Sequence, residues 1–236
     1  MSRDYQKINT LFKRDGDGVI VPEELTCPEF EYLKDCKWEC TEKIDGTNIH
    51  IDLTTEEDGS ISISYHGRTE KAVIPAYLLA KLQEIFTKER LLYGLDLSEN
   101  DAKGVNISVY GEGYGQKIQK CGKDYISNDV GFILFDIRVG QWWLLRESCE
   151  EIANRLGVPI VPLVGYLTLK EAFRLVDKGF KSSISENPDL QAEGLVLKTP
   201  NGLLDRSGSR IITKLKTCDF EKYRRKHKTL FGPNFN

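Results

Sequence analysis

From residue 38 onward, hydrophobic and polar positions alternate in short runs. "NIHIDL" (48–53) keeps strict period two, the mark of a strand with one buried face, and residues 38–44 carry a similar half-buried pattern. A polar turn at "EEDGS" and a return run, "ISISY", predict a third strand folded back on the second. The period then lengthens. "PAYLLAKLQEIFTKERLL" (75–92) repeats its apolar residues at helical spacing behind Pro75, predicting one amphipathic helix. "VNISVYGE" (105–112) is the next strand, and a Gly-rich loop leads to "VGFILFDIRV" (130–139) and "QWWLL" (141–145), joined by a tight turn at Gly140.

Two helices follow from their caps. Ser148 with Glu151 and Thr168 with Glu171 both match the reciprocal capping box, and Gly157 and Gly179 stand at the C-terminal stops. "KSSISENPDLQ" reads as a polar loop. "EGLVLKT" and "RIITKLK" are the last strands, with an Asn201-Gly202 turn between them. Runs of strands followed by helices predict an α+β fold with largely antiparallel sheets flanked by helices, not a doubly wound sheet. With no repeat or linker, residues 1–236 read as one domain, with an N-terminal arm over 1–36 and a basic C-terminal tail over 219–236.

Composition narrows the class. With 40% hydrophobic and 29% charged residues, the chain is an ordinary globular one. No apolar run approaches the ~18 residues of a membrane span, and no signal-peptide core opens the chain, so a soluble cytoplasmic protein, a monomer without membrane contact, is expected. A net charge of −3 excludes a uniformly basic nucleic-acid coat. Lys222, Arg224, Arg225, Lys226 and Lys228 nevertheless crowd after Asp219, as a solvated helix face or a phosphate contact. Six cysteines without paired spacing read as reduced thiols; Cys27, Cys36 and Cys40 lack a fourth ligand for tetrahedral zinc. His50, His66 and His227 look scattered, with no triad around any of them. Trp142 and Trp143, adjacent on a strand, point to opposite faces, which places at least one in the core.

Charged residues recur at strand ends. Lys43 and Asp45 flank the first turn, Glu112 ends one strand, Glu193 opens another that Lys198 closes, and Lys214 and Lys216 share a face. Singly, such charges mean little. Their order carries more. Lys43-Ile44-Asp45-Gly46-Thr47-Asn48 resembles motif I of the covalent nucleotidyltransferases, which include DNA ligases, RNA ligases and mRNA capping enzymes. "HGRTEK" with Arg68, "YGEGYGQK" with Glu112, "FILFDI" with Phe135, "EGLVLK" and "KLK" are similar to motifs Ia, III, IIIa, IV and V, in the same order over residues 42–216. Asn48, where DNA ligases and capping enzymes carry arginine, makes the chain resemble the RNA ligase 2 family. Asp45 departs from the histidine of some members of that family. A DNA ligase, a GTP-dependent capping guanylyltransferase and a non-catalytic nucleic-acid-binding module of the same fold therefore stay open as alternatives.

That resemblance implies a nucleotidyltransferase domain (an ATP-grasp-like ligase adenylation domain) with no evident OB domain, acting as an ATP-dependent RNA ligase with Mg²⁺ or Mn²⁺. Lys43 would take AMP covalently and pass it to a 5′-phosphate RNA end, which a 3′-hydroxyl then seals, nicked duplex being one possible substrate. Glu42 would help recognise adenine, and Ile44 joins the nucleotide-binding set. Asn48 would contact the nucleotide phosphate or its metal, Arg68 and Glu112 the ribose and neighbouring phosphate, and Phe135 the adenine face, with Phe132 as rival. Glu193 and Glu112 would organise the metal, and Lys214 and Lys216 would meet the α-phosphate and pyrophosphate. A lysine amine titrates near ~10.4 and attacks only when neutral. Lys198, Lys214, Lys216, Arg68 and a metal ion would have to lower that by about 2–3, equivalent to ~3–4 kcal/mol. The chain ends about twenty residues past Lys216, where many family members add a C-terminal domain, so self-adenylylation is the firmer expectation than sealing. "YQKINTLFKRD" reads equally as an RNA contact or a structural arm.

Overall fold

The computed structural model describes residues 4–69 and 72–227. The chain enters through β1 (Asn9–Thr10), turns back in the hairpin β2 (Phe12–Arg14) and β3 (Ile20–Leu25), and passes α1 (Pro28–Tyr32) into β4 (Trp38–Glu42). The hairpin β5 (Thr47–Thr55) and β6 (Ile61–Gly67) follows. Helices α2 (Ala76–Ile85), α3 (Lys88–Leu95) and α4 (Glu99–Ala102) lead to β7 (Ile107–Gly115). A turn of helix, α5 (Gly122–Tyr125), precedes β8 (Val130–Val139) and β9 (Trp142–Trp143). Then come α6 (Arg146–Leu156), β10 (Leu163–Leu167), α7 (Leu169–Lys178), β11 (Gly194–Lys198), β12 (Ile212–Lys216) and α8 (Thr217–His227). This is the mixed α+β order expected, and among the described residues every strand pair is antiparallel except β1 with β12.

Contacts gather the chain into two compact units, each built from separate stretches. One holds Asp45–Val161 with Ser185–Asn187 and Tyr5. Its sheet runs β6-β5-β7-β8-β9. Period two sends Ile49, Ile51, Leu53, Ile107 and Val109 to one face, where they pack into a core with Leu78 and Leu82 of α2, Leu91 of α3 and Ala153 and Leu156 of α6. Each such aliphatic side chain contributes about 1.5–3 kcal/mol by leaving water. The alternate positions, Asn48, His50 and Asp52 with Ser108, Tyr110 and Glu112, point the other way. A bulge shifts the β7–β8 register between Tyr110 and Gly111: Tyr110 pairs with Asp136 but Gly111 with Leu134, leaving Phe135 as the extra residue.

The other unit holds Gln6–Ile44, Pro162–Ile184 and the chain from Pro188. Its sheet runs β1-β12-β11-β4-β10. Trp38 and Cys40 of β4, Leu195 and Leu197 of β11 and Leu215 of β12 cover one face and pack against Leu169, Ala172, Phe173 and Val176 of α7 and Phe220 of α8. The helix α7 begins where its capping box predicts: Thr168 Oγ1 accepts from the Glu171 N–H, and Glu171 reaches back to the Thr168 N–H at 2.7 Å.

Several expectations are corrected. The single helix over 75–92 is two, because the Thr87 side chain accepts from the Arg90 N–H and starts α3, while the Tyr65 hydroxyl donates to the Phe86 carbonyl at 2.7 Å and holds the break. Ser148 is not a cap; α6 already begins at Arg146. Neither tryptophan is core: Trp142 is 78% exposed, and Trp143 is half-buried against Tyr5 and Tyr110. The N-terminal arm is built into the fold: β1 extends the sheet, and Leu11 and Phe12 lie in the core. The basic run forms α8, with Lys226 paired to Asp15 and Asp17 and Arg224 to Asp177; Lys228 lies outside the described residues. The described cysteines are all free thiols. No described helix is long and apolar enough to cross a membrane.

Candidate active site

Lys43 follows the last residue of β4, and its N–H still pairs with the Gly194 carbonyl at 2.9 Å. Alternation along β4 therefore turns Lys43 to the face opposite Cys40 and Glu42. On β12, Lys216 lies opposite Gly194 and Lys214 opposite Val196, both on the face away from the core. Glu193, just before β11, reaches between the lysines. Its Oε2 accepts from Lys43 Nζ at 2.6 Å and its Oε1 meets Lys216 Nζ at 2.7 Å. The three side chains are 20, 17 and 29% exposed, shielded enough to strengthen the pairing yet open to a ligand. Burial pulls the Lys216 pKa down, but the hydrogen bond and charge of Glu193 outweigh it, leaving it above the ordinary lysine value.

The Lys43 amine is thus paired with a carboxylate, where crowding cations were expected. Of those cations, Lys216 shares Glu193 with it. Lys198 does not join them: it pairs with Glu39 and Ile212 at the far end of β11, about 13 Å along the strand from Gly194. Ile44 is buried, and its carbonyl accepts weakly from Lys43 Nζ at 3.4 Å. Glu42, 2% exposed, lies on the core side opposite Leu195. Its carboxylate accepts from Ser182 Oγ at 2.5 Å and from the N–H and Oγ of Ser183 at 3.0 and 2.9 Å, so it anchors that loop. Ser182 and Ser183 were not singled out in the sequence; a buried glutamate on the core face demands such partners.

In the other unit, register assembles a second set. Asn48 on β5 pairs with Glu112 on β7, and Arg68 follows Gly67, the last β6 residue, which pairs with Ile49. Three neighbouring strands thus present Arg68, Asn48 and Glu112 at one level. Arg68 is exposed. Asn48 Oδ1 is buried without a hydrogen-bond partner, an acceptor of the sort a bound polar group satisfies. Before β5, the Asp45 N–H donates to the Tyr125 hydroxyl at 3.4 Å and Gln119 Nε2 to the Gly46 carbonyl at 3.0 Å, holding the turn. A side chain at Gly46 would stand 2.4 Å from the Gly113 carbonyl, which is why glycine is needed there. Phe132 is taken by the core, its ring 4.9 Å from Phe86. The bulge leaves Phe135 half-buried on the other side, its edge against Tyr5 at 5.0 Å.

Residues 37–216 match the RNA ligase family model. The fold is similar to a mutant of Naegleria gruberi RNA ligase with ATP and Mn, at 22% identity and a TM-score of 0.61, over 86% of this chain and 55% of that one. It is also similar to the same ligase with PPi, at 22% identity and a TM-score of 0.60, over 95% and 64%. A further mutant with AMP and Mn matches at 20% identity and a TM-score of 0.57, over 94% and 63%. The chain therefore spans between 55% and 64% of the length of these structures. Comparison with curated proteins gives no match.

Proposed function

Since this chain belongs to the RNA ligase family, we propose that it is an ATP-dependent RNA ligase whose nucleophile is Lys43. The observation that carries the proposal is the carboxylate of Glu193 held between Lys43 and Lys216 at 2.6 and 2.7 Å. A lone surface lysine has no use for that arrangement; a lysine that must exchange a proton and then bond to phosphorus does. The Lys43 ammonium has to shed a proton before its lone pair is available, and Glu193 Oε2 is the acceptor in place. The nitrogen then bonds to the α-phosphorus of ATP, and the bond to pyrophosphate breaks with its electron pair. Lys216, released from Glu193 Oε1, accompanies the leaving charge, and Lys214, two residues back on the same face, meets the α-phosphate.

AMP next passes to an RNA 5′-phosphate, and a 3′-hydroxyl displaces it to seal the strand, nicked duplex being one candidate substrate. Asn48 Oδ1, Arg68 and Glu112 serve the sugar and phosphates, and Phe135 the base. Glu42 acts at one remove, by anchoring Ser182 and Ser183. Glu193 and Glu112 offer the carboxylate oxygens that Mg²⁺ or Mn²⁺ takes. A bound ion supplies charge neutralisation to the phosphates. In this reading residues 1–236 act as one adenylylation module of the nucleotidyltransferase kind.

The test is intact-mass measurement after incubation with ATP or GTP and Mg²⁺. The expected adduct is one AMP, lost in Lys43→Ala and absent with GTP. A GMP adduct would point to capping chemistry, no adduct to a binding module, and AMP uptake by Lys43→Ala at the wild-type rate would remove the nucleophile.

A further inference from the structure

The face of β5 and β6 that bears Asn48 also carries metal-ligating side chains for which the adenylylation chemistry has no use. His50 pairs with His66 across the hairpin and Asp52 pairs with Ser64, so all four side chains stand on one side. The imidazoles stack with centroids 4.9 Å apart and planes 20° apart. Each has Nε2 near Asp52 Oδ2, 3.6 Å away for His50 and 3.8 Å for His66. Two ligand atoms each ~2.0–2.1 Å from a tetrahedral ion stand ~3.3 Å apart, so the two nitrogen–carboxylate separations need to close by only a few tenths of an ångström, while the stacked rings must turn to aim both in-plane lone pairs at one ion. One donor atom from each of the three residues lies within 4.8 Å of the others.

The surroundings suit an ion. Asp52 Oδ1 accepts from Ser108 Oγ at 2.5 Å, which fixes the carboxylate with Oδ2 toward the imidazoles, as outer-shell donors do at metal sites. The Asp52 and His50 side chains are 2% and 4% exposed, whereas that of His66 is 39% exposed. The cluster thus has a buried floor and one wet side. Ser64 Oγ lies 2.9 Å from His66 Nε2.

We propose that His50, Asp52 and His66 bind one divalent transition-metal ion of the Zn²⁺ class, with water or Ser64 Oγ as fourth ligand. Two imidazole nitrogens favour Zn²⁺ or Co²⁺ over Mg²⁺, which takes oxygen ligands and keeps its waters. The site is therefore distinct in chemistry from the ion that accompanies ATP. Its ion would pin the edge strand β6, whose end carries Arg68, to β5.

The experiment uses the full chain stripped with a chelator and titrated with Co²⁺. Expected is one ion per chain with the strong visible absorption of four-coordinate Co²⁺, displaced by one equivalent of Zn²⁺ and not by millimolar Mg²⁺. His66→Ala and His66→Gln, at a half-buried position, should fold and weaken binding at least tenfold; Ser108→Ala should weaken it about tenfold. Zn²⁺ should raise the Tm of the wild type by roughly 5 °C at a hundredfold excess over Kd, and that of the His66 variants by much less. A spectrum identical to aqueous Co²⁺, or equal binding by the wild type and both His66 variants, overturns the proposal.

Discussion

Replacing Gly194 with alanine tests whether the β11–β12 pairing positions Glu193. Gly194 has φ +149°, a backbone region that costs any other residue ~1–3 kcal/mol. A Cβ there would stand 1.9 Å from the Leu215 carbonyl oxygen and 2.9 Å from Leu215 C and Lys216 Cα. These are backbone atoms, so no side chain can swing aside. Restoring ordinary contact requires the strand ends to part by roughly 1.5 Å, a large fraction of the ~4.8 Å between hydrogen-bonded strands. Two bonds at that end lie in the path of the movement, Lys43 N–H to the Gly194 carbonyl and Thr217 N–H to the Glu193 carbonyl, both 2.9 Å. At about 0.5–1.5 kcal/mol each, they bring the total to ~2–6 kcal/mol with the backbone strain. For a chain of this size that lowers Tm by roughly 5–20 °C. Below the new Tm, the folded variant should form lysyl-AMP at least tenfold more slowly, since Glu193 no longer meets both amines. Differential scanning fluorimetry and intact-mass time courses read the two effects. A Gly194→Ala protein that melts within ~2 °C of the wild type and takes up AMP at the same rate would refute the argument.

Burial pushes the Cys40 thiol up to about 12, so at pH 8 a thiol reagent should label exposed Cys36 in the native protein and leave Cys40 untouched until unfolding; equal labelling rates by peptide mapping would contradict this. The hydrogen bond from Lys37, and then those from the Thr168 N–H and hydroxyl, hold the Glu171 carboxyl down at about 2, against an ordinary 4.5. Because the folded value is depressed, the stabilisation is complete above pH 4.5 and disappears as pH falls toward 2. The Tm difference between the wild type and Glu171→Gln should therefore shrink across that window, and a difference independent of pH would show that the capping carboxylate is not what titrates.

Much of the fold was legible where one local rule sufficed. Residues 130–139, an apolar run bounded by turns, form β8 with those bounds, and the capping box at Thr168 starts α7 as expected. The break between α2 and α3 was not legible, because apolar spacing continues through Phe86 and masks the Thr87 cap, and the distant Tyr65 hydroxyl helps to secure it. At the candidate site, the family motifs named Lys43, Glu193 and Lys216, and these meet. The same motifs grouped Lys198 with them, although strand length alone sets it far along β11. Glu42 and Lys43 were both assigned to the nucleotide, yet neighbours on a strand face opposite ways. His50 and His66 looked scattered because their partnership needs the hairpin register; once the fold-back at Asp58 is centred, position 50 stands opposite position 66.

The sheet order β1-β12-β11-β4-β10 has a consequence for biosynthesis. Strands β1 and β4 can finish pairing only when β11 and β12 have been translated, whereas the stretch Asp45–Val161 carries nearly all of its own unit. At ~5–20 residues per second, the ribosome needs roughly 3–10 s to make residues 162–216. During that interval β4, with Lys43 behind it, waits without its partners, exposed to chaperones and to mispairing. A stall on the messenger within this span would reveal which intermediates the nascent chain visits.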